Sequence, residues 1–397
     1  MKPRVLFLNT LNSGISFWRM ANYWTAALRT GVMEVRMPFW EKDNPIISEW
    51  QTKLGDPYFK HAYLGEISAR LRDVDVCVMQ MAHTKESLNV FLAIHDAFEQ
   101  TGVPVVAECD DNYRNTPAYN PASEAYAPGS EHRAIATKQF RMADAMIVST
   151  PGLNDLYSDY NDHVYTVPNA IDFPLWDAAL ARKRKKRGIR IGWAGGMNHD
   201  RDLKIIEPVI KSILSEYRDV RFVFAHGAPK SLRDIPGVEY HEKFAKILHY
   251  PKYIASLDLD IGLAPLEDNT FNIGKSNLRW LEYSALGIPT VASKVGHFAQ
   301  SITHGWDGFL VDTADAKQEA ADFEAILVKL ITDRKERVAV GMRAREAVRQ
   351  RFNVDFVVGT YAGALEEIAK RGRVPKDEKA IMSNQIPGLA SAGQLHE

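Results

Sequence analysis

The chain has 397 residues, 46% hydrophobic and 25% charged, a globular composition that at ~150 residues per domain predicts two domains or slightly more and excludes disorder, collagen and fibre. Lys plus Arg (49) nearly cancels Asp plus Glu (50), so no whole-molecule field draws the protein to nucleic acid or an anionic membrane, and such attraction needs a local patch. Two cysteines, Cys77 and Cys109, cannot build a disulfide framework and read as small buried hydrophobes in a reducing compartment.

The opening Met1-Lys2-Pro3-Arg4 leads into only the apolar run Val5 to Leu8, too short for a signal-peptide core. No stretch approaches the ~20 apolar residues of a membrane span. The expected location is cytoplasmic, with peripheral membrane contact left open.

In chain order, short β-branched runs alternate with segments of helical period, the signature of βαβ units around parallel sheets. The first half predicts strands at Val5–Asn9, Val35–Pro38, Val74–Gln80, Val103–Glu108, Ala145–Ser149 and Val164–Val167. The second half predicts them at Arg190–Trp193, Val220–Ala225, Val238–His241, Asp260–Pro265, Thr290–Ser293 and Phe309–Val311. The fold class is therefore α/β, with two Rossmann-like doubly wound domains whose carboxyl strand ends border a ligand cleft. The expected boundaries are 1–172, a linker at 173–188, 189–353, a helix at 354–372 returning to the first domain, and a loose tail at 373–397. The linker carries the basic run Arg182–Arg187, read either as a solvated connection or as a contact to a phosphate backbone.

The loop after the first strand, Asn9 to Ile15, holds one glycine where a dinucleotide fingerprint needs three, and a Walker loop is absent. Gly14 is either a plain turn residue or part of a helix start that meets an anion. In the helix that follows, Phe17, Met20, Trp24 and Leu28 form an apolar stripe and Arg19 lies off it, toward the expected cleft. Trp18, Trp40 and Trp50 are read as core or as stacking surfaces for a sugar or base. After the strand ending at Glu108 come Cys109, Asp110, Asp111, Asn112 and Tyr113. Carboxylates crowded there repel, raising at least one pKa and supplying a proton acceptor, unless Asp110 or Asp111 merely caps a turn.

The second half opens with Gly192-Trp193-Ala194-Gly195-Gly196, then His199, Asp200 and Asp202. Adjacent glycines before a helix N-terminus make a seat for a phosphate; Asp200 or Asp202 reads equally as a helix cap. The most informative stretch runs from Pro265-Leu266-Glu267 through Asn269, Asn272, Lys275, Ser276, Arg279, Glu282 and Tyr283 to Gly287 and Pro289. A helix from near Lys275 to Gly287 puts Arg279 and Glu282 on one face with Lys275 at its start. A cation at the mouth and a carboxylate further in suit a ligand with a diphosphate at one end and a vicinal diol at the other.

These segments, with Val167-Pro168-Asn169-Ala170-Ile171-Asp172 at the junction and Gly305-x-x-Gly308-Phe309 near the end, resemble the GT-B glycosyltransferases, in particular the large family 4 group. The likeness covers about residues 143–355 well and the first 140 loosely. It implies transfer of a sugar from a nucleotide-diphosphate donor, with UDP- or GDP-sugars favoured, retention of configuration, and no metal or other cofactor. It places Lys275 and the Gly195-Gly196 loop on the diphosphate, joined by Ser276 and Arg279, and Glu282 on the ribose hydroxyls. His199 becomes a candidate for contact with the transferred sugar or phosphate, and the final helix a hinge of the cleft. Many members carry a second glutamate eight residues before the one matched by Glu282; here that position is Gly274, so Glu267, Asn269 or Asn272 takes its place. Asp73-Val74-Asp75 and Asp258-Leu259-Asp260 resemble the Asp-x-Asp metal motif of the other glycosyltransferase fold but read as strand starts. The acceptor is open: a glycan, lipid, protein or hydroxymethylated DNA base, with a catalytically silent nucleotide-sugar binder as the alternative.

Overall fold

The computed structural model describes residues 2–8, 14–36, 73–99, 101–180, 188–196, 199–242 and 245–375. The expectations for Trp40, Trp50, the Arg182–Arg187 run and the tail beyond residue 375 lie outside the described residues. The chain forms two compact units, Met1–Pro168 with Asp355–Glu397, and Asn169–Val354. Among the described residues all twelve expected strands are present, with ends displaced by at most two residues.

The first unit contains β1 (Arg4–Leu8), a helical run α1 made of Gly14–Ser16, a π-turn Phe17–Ala21 and Asn22–Thr30, then β2 (Glu34–Arg36), β3 (Val76–Gln80), α2 (Lys85–Glu99), β4 (Val105–Cys109), α3 (Glu131–Met142), β5 (Ala145–Val148), α4 (Pro151–Tyr157) and β6 (Val164–Thr166). All strands are parallel, in the order β2-β1-β3-β4-β5-β6. Every residue of β3 and β4 is buried, as expected for strands covered on both faces. Ser130 and Thr150 accept from backbone N–H groups to cap α3 and α4. Cys77 and Cys109 are buried free thiols, pushed above their ordinary pKa by burial.

The stripe predicted for α1 breaks at its ends. Met20 and Trp24 are buried, but Leu28 is 55% exposed and Arg19 is buried. The π-turn packs more residues per turn than an α-helix and rotates the register, which turns Arg19 into the interior. Trp18 joins the core.

The second unit comprises α5 (Phe173–Asp177), β7 (Ile189–Ala194), α6 (Asp200–Lys204), α7 (Glu207–Glu216), β8 (Val220–Ala225), α8 (Lys230–Arg233), β9 (Val238–His241), α9 (Tyr250–Ser256), β10 (Ile261–Ala264), α10 (Leu278–Ala285), β11 (Thr290–Ser293), α11 (Gly296–Ser301), β12 (Phe309–Val311), α12 (Ala316–Thr332) and α13 (Arg334–Arg351). Its parallel sheet has the order β12-β11-β10-β7-β8-β9, the doubly wound arrangement in which chain order reverses between β7 and β10. In such sheets ligands bind outside the carboxyl ends at the reversal. A last helix, α14 (Val354–Arg371), carries the chain into the first unit.

Lys275 is not the first residue of the helix that bears Arg279. Asn272–Gly274 form a 3₁₀ turn, Lys275 is extended at ψ 140°, and α10 starts at Leu278. Gly287, at φ 71°, ends it, a left-handed conformation that glycine adopts without penalty. Within the second unit Ile171 donates to the Phe352 carbonyl at 2.7 Å and accepts from Val354 N–H at 2.9 Å, so the segments by which the chain enters and leaves it are hydrogen-bonded together. Among the described residues no helix is long and apolar enough to cross a membrane.

Candidate functional site

β7 ends at Trp193-Ala194 and β10 at Ala264, so the reversal point of the second sheet is bordered by the Gly195-Gly196 turn and the Pro265-Leu266 turn. Between them lies a pocket of about 150 Å³ whose wall includes Trp193, His199, Leu266, Lys275, Ser276, Arg279 and Phe298. Ser293 Oγ, accepting from Leu266 N–H at 3.0 Å and donating to Glu319 at 3.1 Å, anchors the β10 side. The two glycines have different reasons for their size. A Cβ on Gly195 would stand 2.4 Å from the Trp193 ring and 2.6 Å from Arg279 Nη2, whereas one on Gly196 would meet nothing within 4 Å among the described residues. Gly195 therefore answers to packing inside the protein, and only Gly196 leaves room for a ligand.

Lys275 brings its ammonium to 4.4 Å from the centre of the Phe271 ring, and Ser276 Oγ accepts from Asn169 Nδ2 at 3.0 Å. Arg279 lies across Trp193 at 5.5 Å and donates to Glu282 Oε2 at 2.7 Å and to the Tyr250 hydroxyl at 3.2 Å. The Tyr250 hydroxyl donates in turn to Glu282 at 3.2 Å. Burial opposes charge on this guanidinium, but Glu282, Tyr250 and Tyr283 together outweigh it and raise Arg279 above its ordinary pKa. Glu282 moves up as well, because burial outweighs Arg279. Arg279 and Glu282 share a face as expected, but Glu282 is buried behind Arg279 and is absent from the pocket wall.

His199 Nδ1 is 2.7 Å from Asp202 Oδ2, and Asp202 Oδ1 accepts from Glu267 N–H at 2.8 Å and Asn272 Nδ2 at 3.0 Å. Asn272 is buried and also donates to the Glu267 carbonyl at 2.9 Å. Glu267 pairs with Arg201 at 3.4 Å and accepts from Asn269 at 3.0 Å. Neither Asp200 nor Asp202 is the N-cap of α6; that position is His199, without a side-chain cap bond. Tyr250 was not foreseen, since nothing in its spacing marks it.

The first unit separates residues that the sequence grouped. Glu108 lies wholly buried on β4, paired with Arg19 Nε at 2.5 Å. Its carboxyl is raised by burial, against which Arg19 works; carboxylate crowding is not the cause. Asp110 and Asp111 follow in a partly exposed turn, where the Asp111 carbonyl accepts from Tyr157 at 2.7 Å. After burial, their charges help to push the Tyr113 hydroxyl well up. Beside them, unforeseen, His83 Nδ1 is 2.8 Å from the Tyr126 hydroxyl, and burial lowers it to about 4. Gly14 is exposed at the start of α1, and residues 9–13 lie outside the described set. Asp73 and Asp75 hold Arg4, and Asp260 accepts from Arg190 N–H at 2.9 Å, the duties of strand-start residues.

The sequence model of the family "Glycosyl transferases group 1" matches residues 188–333, the stretch that builds this pocket. This segment is a group 1 glycosyl transferase domain. Glycogen synthase of Mycobacterium tuberculosis is 22% identical over 267 residues, which are 64% of this chain and 61% of that protein; the chain thus spans about three-fifths of that relative's length. D-inositol 3-phosphate glycosyltransferase of Geodermatophilus obscurus is 31% identical over 111 residues, 28% of this chain and 22% of the relative. Among solved structures, Anabaena HepE in complex with UDP-glucose matches with a TM-score of 0.60 at 14% identity, over 92% of this chain and all of that one. The catalytic domain of starch synthase IV from Arabidopsis thaliana, bound to ADP and acarbose, matches with a TM-score of 0.63 at 12% identity over 94% and 100%. The fold is the GT-B fold.

Proposed function

We propose that the chain moves a sugar from a nucleotide-diphosphate sugar to an acceptor hydroxyl. The observation that carries this reading is the pocket at the β7/β10 reversal, walled by Lys275, Arg279 and His199 within a group 1 glycosyl transferase domain. Sugar transfer requires stabilising the charge that gathers on the departing diphosphate, and prepositioned cations in a partly water-excluded pocket do this without reorganising. Lys275 and Arg279 take that role, and Gly196 lets the backbone approach. Glu282 holds Arg279 in place, and its reach to a ribose rests on the resemblance. Asp110 and Asp111 remain the proton acceptors in this reading. The protein's own cations make a metal unnecessary for the donor, and retention follows from the resemblance. UDP- and GDP-sugars are the donors to try first, with ADP-sugars beside them because one structural neighbour binds ADP.

The test is calorimetric titration of UDP-glucose, GDP-mannose and ADP-glucose, with donor hydrolysis followed in chelator. At least one donor binds and is hydrolysed, and Lys275→Ala weakens it roughly 10- to 100-fold, the worth of a charged hydrogen bond, with unfolding unchanged. Absence of binding by all three, or a Lys275→Ala variant equal to the parent, overturns the reading.

A further inference from the structure

The carboxylate of Asp202 is 4% exposed, and among the described residues its hydrogen bonds go to His199, which lines the pocket, and to Glu267 and Asn272, which follow the Pro265-Leu266 turn at its edge. Oδ2 faces His199 Nδ1 at 2.7 Å, and Oδ1 takes both Glu267 N–H at 2.8 Å and Asn272 Nδ2 at 3.0 Å. His199 comes from the β7 side of the sheet reversal, and Glu267 and Asn272 from the β10 side. One buried group thus ties the two loops that border the pocket.

An ionised carboxylate can only accept, so the proton between it and His199 sits on Nδ1, and in the neutral form of the ring this leaves Nε2 as an acceptor. The ring is further held edge-on to Trp193, with centres 5.4 Å apart. A phosphate oxygen needs a donor; a sugar hydroxyl is satisfied by an acceptor. We infer that Asp202 is a positioning residue that fixes His199 as a hydrogen-bond acceptor for a hydroxyl of the donor's sugar, so that the His199–Asp202 pair reads the sugar while Lys275 and Arg279 hold the diphosphate. This deepens the proposed donor site and rests on that reading.

Asp202→Asn separates the role from simple loop support. The amide oxygen keeps the bonds to Glu267 and Asn272, whereas the amide NH₂ now donates to Nδ1 and forces the ring proton onto Nε2. The measurement is twofold. Ring ¹⁵N NMR of His199 in the unliganded protein reports the tautomer, and calorimetry compares UDP with UDP-glucose and ADP with ADP-glucose. The parent shows the Nδ1–H tautomer and Asp202→Asn the Nε2–H tautomer. The variant binds UDP or ADP as the parent does but loses the additional affinity for the sugar-bearing form by about tenfold, and His199→Ala loses the same increment.

If the parent ring carries its proton on Nε2, or if Asp202→Asn weakens nucleotide and nucleotide-sugar alike, the inference is overturned while the donor site stands. If the parent binds none of the four ligands, the donor reading itself fails, and with it the sugar-reading role, whatever the tautomer.

Discussion

Each unit places a buried arginine–glutamate pair in its interior, and the two differ in access. Arg19 and Glu108 are 1% and 0% exposed; Arg19 also donates to the Val167 carbonyl at 2.8 Å, and a π-turn aims it inward. Arg279 and Glu282 are 18% and 2% exposed, and the outer part of the guanidinium forms pocket wall. The residue types and contact distances are nearly the same. What separates the sealed pair from the pocket-facing one is access: Arg19 is enclosed, whereas Arg279 borders the pocket beside the Gly195-Gly196 turn. Buried pairs carry a desolvation penalty that their mutual attraction only partly offsets, so retaining one beneath a pocket makes sense where its charge is used.

The sharpest way to break this contrast is Arg19→Met, which strands Glu108 without a partner. It should destabilise the protein by about 3–5 kcal/mol in urea unfolding, and the double change Arg19→Met/Glu108→Leu should recover most of the loss. Arg279→Met leaves Glu282 with the Tyr250 hydroxyl and costs less stability but at least ~10-fold in donor affinity, since a charged hydrogen bond is lost. If Arg19→Met costs no more stability than Arg279→Met, the sealed-versus-open distinction is wrong.

The glycine pair provides a finer test. Gly195→Ala forces Trp193 or Arg279 aside and should cost roughly 1–3 kcal/mol of stability together with donor affinity. Gly196→Ala meets no neighbour among the described residues, so its unfolding should stay within ~0.5 kcal/mol of the parent. Equal behaviour of the two variants would show that the turn's shape, not the packing of its first glycine, controls Arg279.

A smaller effect compares the units through their buried histidines. Burial lowers both His83 and His297 from 6.5 to about 4, His132 adding to the first and Arg351 to the second. Well above pH 6.5 both are neutral whether folded or unfolded. As pH falls from 6.5 toward 4 the unfolded chain takes up protons that the folded state refuses, so stability is lost, at up to ~1.4 kcal/mol per pH unit for each histidine. His297→Leu should therefore flatten the pH 5.5–7 stability curve by about 1 kcal/mol, and His83→Leu should do the same for the first unit. A slope unchanged in either variant would show that its histidine titrates normally.

Hydrophobic period alone determined the strands, the two doubly wound halves and the place of the glycine turns, because parallel strands buried on both faces must read as apolar runs wherever they occur. The order of motifs from Gly195 to Gly287 similarly marked the segment that builds the pocket, since the cations and turns are local in sequence. Tertiary structure decided the rest. Glu108 is joined to Arg19 across 89 positions, and Asp202 to Glu267 and Asn272 across 65 and 70. No local spacing records such partners, and a carboxylate's role is set by what surrounds it once water is gone. Thus Glu108 reads in the chain like a proton acceptor and folds into a sealed ion pair, while Asp202 reads like a helix cap and folds into the tie between the two loops of the pocket.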